Sequence, residues 1–297
     1  GHGSSVTQCL QRAGNSFRGE LHVPEVKRWW PHTHGQPNLY SVSLLVRMAG
    51  TEQVTSIDQG CVGFRTIHLD CTGGDFSISI NGVEVFCRGA CWTPLNPVTL
   101  RSSVSDCLVA VEQARAAGMN MLRVAGTMVY EEDHFYDACD ELGILVWQDF
   151  MFANMDYPCD DATFLQSVDT EVSQQLERLR SKASLALLCG NSEVAQQAAM
   201  WGAPRELWQS SLFDDTLARR CADIVPSIPY WPSSAYGGAF PHQGDIGTTS
   251  YYGVGAYLRG LDDARRSSLK FATECLAFAN VPADSAIERM PTGLATR

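Results

Sequence analysis

Leu185-Ala186-Leu187-Leu188-Cys189 is an unbroken apolar run that stops at Gly190 and gives way to the polar side chains of Asn191, Ser192 and Glu193. A strand this short with no polar position has no face left for solvent. It therefore reads as a strand covered on both sides, the condition met in a parallel sheet flanked by helices. A carboxylate, Glu193, then stands at the C-terminal end of a buried strand, and in a parallel α/β barrel that rim is where chemistry is held. The competing reading is local: Glu193 opens the next helix, where its charge complements the positive end of the helix dipole.

The neighbouring sequence repeats the pattern. Residues 83–92 read as a strand, and Ser103-Val104-Ser105-Asp106 opens a helix whose apolar face runs through Val104, Leu108, Val111 and Ala114 to a stop at Gly118. Strands are expected at 120–126 and 144–150, separated by a helix carrying Phe135, Ala138, Cys139 and Leu142 that ends at Gly143. A long helix with Phe164, Val168, Val172, Leu176 and Leu179 on one face leads into the 185–189 strand. A helix at 212–225 and strands at 227–231, near 246–251 and at 269–276 follow. Such alternation implies parallel strands joined by right-handed crossovers. The expected fold is α/β, a (β/α)8-type TIM barrel in which seven strands can be counted, the eighth lying in the last 20 residues or beyond the chain.

Ahead of the barrel the period is two. Alternation at 39–46, 61–69 and 76–80, with turns at Gly73-Gly74 and Asn81-Gly82, reads as a run of strands without helices. That is the signature of a partial immunoglobulin-like β-sandwich, which in full needs about seven strands. The expected division is a sandwich over 1–75 and a barrel over 76–297. Gly1-His2-Gly3-Ser4-Ser5, without an initiator Met, reads as an added or excised end.

Composition narrows the partners. A formal net charge of -11, with no run of Lys and Arg, argues against nucleic acid, and no apolar run is long enough to span a bilayer. Neutral substrates are compatible. Of 11 cysteines, Cys87, Cys91, Cys139, Cys189 and Cys275 lie in apolar runs, which suits reduced, buried thiols in a cytoplasmic protein better than a disulfide framework. Cys87 and Cys91 lack a second pair at zinc-finger spacing, and His32-Thr33-His34 stands alone, so neither a metal nor a cofactor is expected.

Arg123 and Asp149 also close apolar strands, and Glu274 comes late in the strand at 269–276. Glu193 and Glu274 lie three strands apart on one rim. Should their carboxyl groups lie about 5 Å apart, one can attack an anomeric carbon while the other protonates the departing oxygen, as in a retaining glycosidase. Arg123 would keep the nucleophile ionised, and burial would favour the protonated acid. The partner implied is a β-linked oligosaccharide or glycoside.

The segments at 81–89, 121–124 and 135–150, together with Cys189-Gly190-Asn191-Ser192-Glu193, Pro229-Tyr230-Trp231-Pro232-Ser233-Ser234 and Phe271-Ala272-Thr273-Glu274, resemble glycoside hydrolase family 2 and within it the β-mannosidase branch. The resemblance implies a jelly roll, an immunoglobulin-like sandwich and a barrel that hydrolyses β-glycosides with retention and without a metal. By this likeness Glu193 is the acid/base, Glu274 the nucleophile and Arg123 the arginine that contacts it. Tyr251 or Tyr252 falls where the family has a sixth-strand aromatic. Asn191, Ser192, Asp149 and Trp201 are further candidate sugar contacts, while Trp208, Trp147 and Trp29-Trp30-Pro31 read as packing. This chain departs from the family's pattern at Ser192, where the family has Asn, and at Ala125-Gly126-Thr127-Met128, where it has Trp-Gly-Gly-Gly. The jelly roll and the eighth strand are missing from the pattern. Three activities stay open: a β-mannosidase, a β-galactosidase or β-glucuronidase of the same family, and a truncated or degenerate non-catalytic carbohydrate binder.

Overall fold

The computed structural model describes residues 5–275 and 284–288. The N-terminal part carries β1 (Gln11–Ala13), β2 (Ser16–Arg18), β3 (Tyr40–Arg47), β4 (Val54–Val62), β5 (Ile67–Asp70), β6 (Ser77–Ile80) and β7 (Val83–Val85). Among the described residues these form three antiparallel sheets, β1-β2, β3-β4 and β5-β6-β7. The three-stranded sheet runs across the expected boundary at 75/76, since β5 and β6 are hydrogen-bonded neighbours.

From β8 (Gly89–Trp92) onward, strand and helix alternate as the periodicity predicts: α1 (Val104–Ala116), β9 (Met121–Val124), α2 (Asp133–Leu142), β10 (Leu145–Asp149), α3 (Ala162–Leu179), β11 (Leu185–Cys189), α4 (Val194–Met200), α5 (Leu217–Ile224), β12 (Tyr230–Trp231), β13 (Thr248–Tyr251), α6 (Asp262–Arg266) and β14 (Phe271–Cys275). Strands β12-β11-β10-β9-β8 make one parallel sheet of five, and β13 pairs in parallel with β14. The two sheets meet at both ends. Trp231 Nε1 donates to Thr248 Oγ1 at 2.9 Å on one side, and Cys91 Sγ donates to the Thr273 carbonyl at 3.5 Å on the other. The result is a TIM-barrel-like domain with seven parallel strands among the described residues. Leu276, the expected end of the seventh, lies outside them, as does most of the stretch where an eighth strand is expected; within its described part, Asp284–Ile287 is a short helix.

Helix starts follow local chemistry. Ser103 caps α1 by accepting the Asp106 amide at 3.1 Å, and Asp161 caps α3 by accepting those of Thr163 and Phe164. Gly143 ends α2 in the left-handed region (φ 70), where a Cβ would come within 2.7 Å of the His32 amide nitrogen. Three readings need correction. Residues 61–69 are not one strand, because β4 ends at Val62 and β5 begins at Ile67 in another sheet. Residues 83–92 are not one strand, because β7 joins the antiparallel sheet and β8 the parallel one. The Asn120 side chain holds the change of direction between them by donating to the Phe86 carbonyl and accepting the Arg88 amide. The expected helix at 212–225 begins with a π-helical turn, Leu212–Thr216, before α5.

Alternation along the barrel strands, interrupted on β11 where its register with β10 shifts, separates two cores. Leu122, Val124, Val146, Leu185 and Leu188 face outward and pack under α1, α2, α3 and α5. Met121, Leu145, Trp147, Leu187 and Cys189 face inward, against Phe76, Ile78 and Ile80 from the antiparallel sheet. The Phe76 ring sits between Trp147, Trp231 and Phe271, with centroids 5.7, 4.8 and 5.0 Å away. Thus β6 fills the lower end of the barrel, and Trp29, fully buried beside it, donates its indole N–H to the Asp140 carbonyl at 2.8 Å. The same alternation continued upward turns Arg123 and Asp149 inward at the rim. The 11 cysteines are all free. Cys139 and Cys189 are buried as expected, but Cys91, which lines the cavity described next, and Cys275 are exposed.

Candidate active site

At the C-terminal rim lies a cavity of about 240 Å³, lined by Cys91, Trp92, Thr93, Ala125, Thr127, Met128, Asn154, Ser192, Glu193 and Glu274. Both glutamates singled out in the sequence border it. They reach it differently. Glu274 projects from β14, whereas Glu193 follows β11 at the start of α4 with its backbone in the left-handed region (φ 62). For a residue with a Cβ this conformation costs about 1–3 kcal/mol. It is held by the hydrogen bond from the Glu193 amide to the Ser234 carbonyl at 2.8 Å and from the Gln197 amide to the Glu193 carbonyl at 2.8 Å.

Arg123 is the hub beneath the cavity, 4% exposed. Its Nη1 donates to Glu274 Oε1 at 2.7 Å, and its Nη2 donates to Asp149 Oδ2 at 2.7 Å, Ser234 Oγ at 2.6 Å and Ser192 Oγ at 3.1 Å. Burial alone would disfavour the guanidinium's charge, but Asp149 and then Glu274 more than restore it, so Arg123 stays cationic. Asp149 is fully buried and already occupied: Oδ1 accepts from Trp147 Nε1 at 2.7 Å, and Oδ2 also accepts from the Gly126 amide at 3.0 Å. It is therefore the counter-charge that positions Arg123, and it does not line the cavity.

For Glu274, burial would raise the carboxyl. The Arg123 charge, the Tyr252 hydroxyl and the Arg123 hydrogen bond together outweigh burial and hold it below the ordinary glutamate value of 4.5. Tyr252 donates its hydroxyl to Glu274 Oε2. Burial, the bond to Glu274, and then the charges of Glu274 and Glu193 push that phenol far up, so it remains a donor. Glu193 has other company. Its Oε1 accepts from Ser250 Oγ at 2.7 Å and Gln196 Nε2 at 3.0 Å, and its Oε2 accepts from Gln197 Nε2 at 3.0 Å. Among the described residues no cation pairs with it. Ser250 is also the cross-strand partner of Glu274, so one register position of β13 links the surroundings of both carboxylates.

A pH dependence follows with a definite sign. A carboxyl depressed in the folded chain keeps its charge until the pH drops below the ordinary glutamate range. Its contribution to stability, present above the unfolded value, is lost as pH falls through the folded one. The acid limb of any activity that needs Glu274 ionised is expected below pH 4.5. A kcat/KM profile read down to pH 3 checks it, and a limb at pH 5 or higher would contradict it.

The remaining sequence candidates separate. Tyr252, not Tyr251, reaches the Glu274 carboxylate; the Tyr251 hydroxyl donates to Asp263 Oδ2 at 2.7 Å. Asn191 is 1% exposed and turned inward, donating to the Pro232 carbonyl and accepting from the Val194 amide and Ser233 Oγ. Trp201 stands 86% exposed at the end of α4, outside the cavity lining. Ser192 borders the cavity, and since its oxygen accepts from Arg123 its own hydrogen is free to donate. Sequence reasoning missed Ser234, Ser250, Gln196 and Gln197. Ser250 sits on the period-two face of β13, and the two glutamines lie three and four residues past Glu193, the spacing at which helical side chains meet. Among the described residues no group of three or more His, Cys, Asp or Glu side chains could hold a metal ion, and no helix is long and apolar enough to cross a membrane.

No family model matches the chain. β-Mannosidase B of Emericella nidulans is 32% identical over 241 residues, which is 75% of this chain and 28% of that protein. The β-mannosidase of Rattus norvegicus is 38% identical over 174 residues, covering 57% of this chain and 19% of the rat protein. Among solved structures, β-D-mannosidase from Dictyoglomus thermophilum superposes with a TM-score of 0.73 at 34% identity, over 83% of this chain and 31% of that one. The chain is thus related to β-mannosidases and spans less than a third of their length.

Proposed function

From this relationship to β-mannosidases, we propose that the chain is the catalytic part of a retaining β-glycosidase of glycoside hydrolase family 2 acting on terminal β-mannosides. The strands and helices from β8 onward would be its barrel, and the antiparallel strands before it part of an immunoglobulin-like sandwich, so that the boundary falls after β7 and not at 75/76. The observation that carries the reading is the contrast between two carboxylates on one cavity: Glu274 is clamped as an anion by Arg123 and Tyr252, and Glu193 pairs with no cation among the described residues. Environments that differ in this way divide the work between a nucleophile and an acid/base.

In the first half-reaction Glu274 attacks the anomeric carbon as the glycosidic C–O bond breaks, and the Glu193 carboxyl proton goes to the departing oxygen. In the second, Glu193, now ionised, takes a proton from water whose oxygen attacks the same carbon and releases Glu274. Tyr252 and Arg123 hold Glu274 in line and share its charge. Ser192 offers its free hydrogen to a sugar hydroxyl, in the role that an amide would fill from Asn. Trp201 offers an open indole face to the part of the substrate beyond the cleaved bond. Asp149, Asn191 and Tyr251 act one layer further out, by fixing Arg123, the turn after β11 and the loop around Asp263.

The test is mass spectrometry after exposure to 2-deoxy-2-fluoro glycosyl fluorides of the manno, galacto and glucurono series. A covalent adduct on the peptide containing Glu274, formed fastest with the manno reagent, is the expected result. Faster labelling by another sugar moves the specificity to that sugar. An unlabelled chain with every reagent favours a carbohydrate binder without turnover.

A further inference from the structure

Gln196 is buried, 4% exposed, on the first turn of α4. Its Nε2 donates to Glu193 Oε1 at 3.0 Å, while its Oε1 is a buried acceptor with no partner among the described residues. An unsatisfied buried acceptor is destabilising, so this one calls for an explanation. The other groups on Glu193 do not supply one. Gln197 Nε2 and Ser250 Oγ also donate to the carboxylate, so in this arrangement all three neighbours serve the ionised form.

A general acid cannot stay in that form. Before the glycosidic bond breaks, Glu193 must carry a proton; beside Oε2 the Gln197 Nε2 can only donate, and beside Oε1 the Ser250 hydroxyl can accept only by giving up the hydrogen bond it donates. The oxygen of Gln196 is a ready acceptor: half a turn about its last side-chain bond exchanges Nε2 for Oε1 and sets a carbonyl oxygen against Oε1 of Glu193.

Building on the retaining reading above, we propose that Gln196 is a positioning residue whose carboxamide reverses with the protonation state of Glu193. It donates N–H to the carboxylate and accepts O–H from the acid, so one side chain holds Glu193 in register through both half-reactions. Gln196 itself neither gains nor loses a proton. The proton moves between Glu193 and the departing oxygen in the first half-reaction, and between water and Glu193 in the second. The unpartnered oxygen is then the half of the switch that is idle while Glu193 is ionised.

The experiment compares the chain with its Gln196→Met variant, which keeps the side-chain length and removes both polar ends, on aryl β-mannosides graded by leaving group. A 2,4-dinitrophenolate leaves without a proton, whereas a phenolate or 4-methylumbelliferone needs one. The expected result is a loss of about tenfold or more in kcat/KM on the poor leaving groups and less than about threefold on the dinitrophenyl substrate, with Gln196→Glu restoring part of the loss. Equal losses on all leaving groups, or none, overturn the proposal. Undiminished labelling of Glu274 by a fluoro sugar fluoride shows that the variant is folded; if Gln196→Met does not label, Gln196→Leu and Gln196→Glu are read on the same substrate series against the same criterion. An unsubstituted chain that neither turns over the dinitrophenyl substrate nor labels sinks the glycosidase reading and this proposal together. An active chain with a uniform loss in the variants sinks this proposal alone.

Discussion

Glu274→Ala is expected to lose about 10⁴-fold or more in turnover of an aryl β-mannoside, because removal of a nucleophile leaves only binding and charge stabilisation. The loss should be chemical and not structural: the side chain is partly exposed, 24%, and its removal relieves Arg123 of one of two carboxylates without stranding it, since Asp149 stays in place. Azide makes the test specific. A small anion in the space vacated by the carboxylate attacks the anomeric carbon from the same side as Glu274 did, expelling the phenolate that Glu193 protonates. The product is the α-glycosyl azide, formed by one inversion. Glu193→Ala would instead form the glycosyl-enzyme with dinitrophenyl substrates and yield the β-azide after two. Proton spectra of the products separate the cases. A β-azide from the Glu274 variant would assign the two glutamates the other way round.

Arg123→Met should be the most damaging change to stability at the rim. It leaves Asp149, fully buried, and Glu274 facing each other without the cation that both contact at 2.7 Å. Removing one partner of a buried charge pair costs about 3–5 kcal/mol. At about 2–4 °C per kcal/mol for a domain of this order of size, the melting temperature should fall by roughly 10 °C. The deficit has a recognisable pH dependence. Without Arg123 the burial of Glu274 is uncompensated, so its carboxylate is destabilising when ionised and harmless when protonated, and the gap between variant and parent should narrow as pH falls from the ordinary glutamate value of 4.5 towards the lower value that Glu274 has in the parent. Melting curves between pH 3 and 7 decide the matter. A deficit independent of pH would mean that Arg123 contributes packing alone.

Much of this site was legible before any coordinates. Arg123 and Asp149 stand out because each is a polar group that closes an apolar strand, and Glu193 because an apolar run ends abruptly before it. The roles were harder to read. From its place at the rim Asp149 reads as a candidate sugar contact, and only the positions of Trp147, Gly126 and Arg123 reveal that its oxygens are taken. Adjacent Tyr251 and Tyr252 were indistinguishable in sequence. Since successive side chains on a strand point to opposite faces, only one of the two could reach Glu274.

By itself the sequence determined the class of fold, since short strands without a polar position can be buried only between helices, and the order of residues along the rim, since strand ends are marked by where hydrophobicity stops. It did not determine which strands close the ring or what touches what. Ser250 meets Glu193 across 57 positions, Ser234 meets Arg123 across 111, and Phe76 plugs a barrel that starts after it in the chain. Those meetings depend on register, curvature and packing, which are properties of the assembled sheet, and no local pattern of residues encodes them.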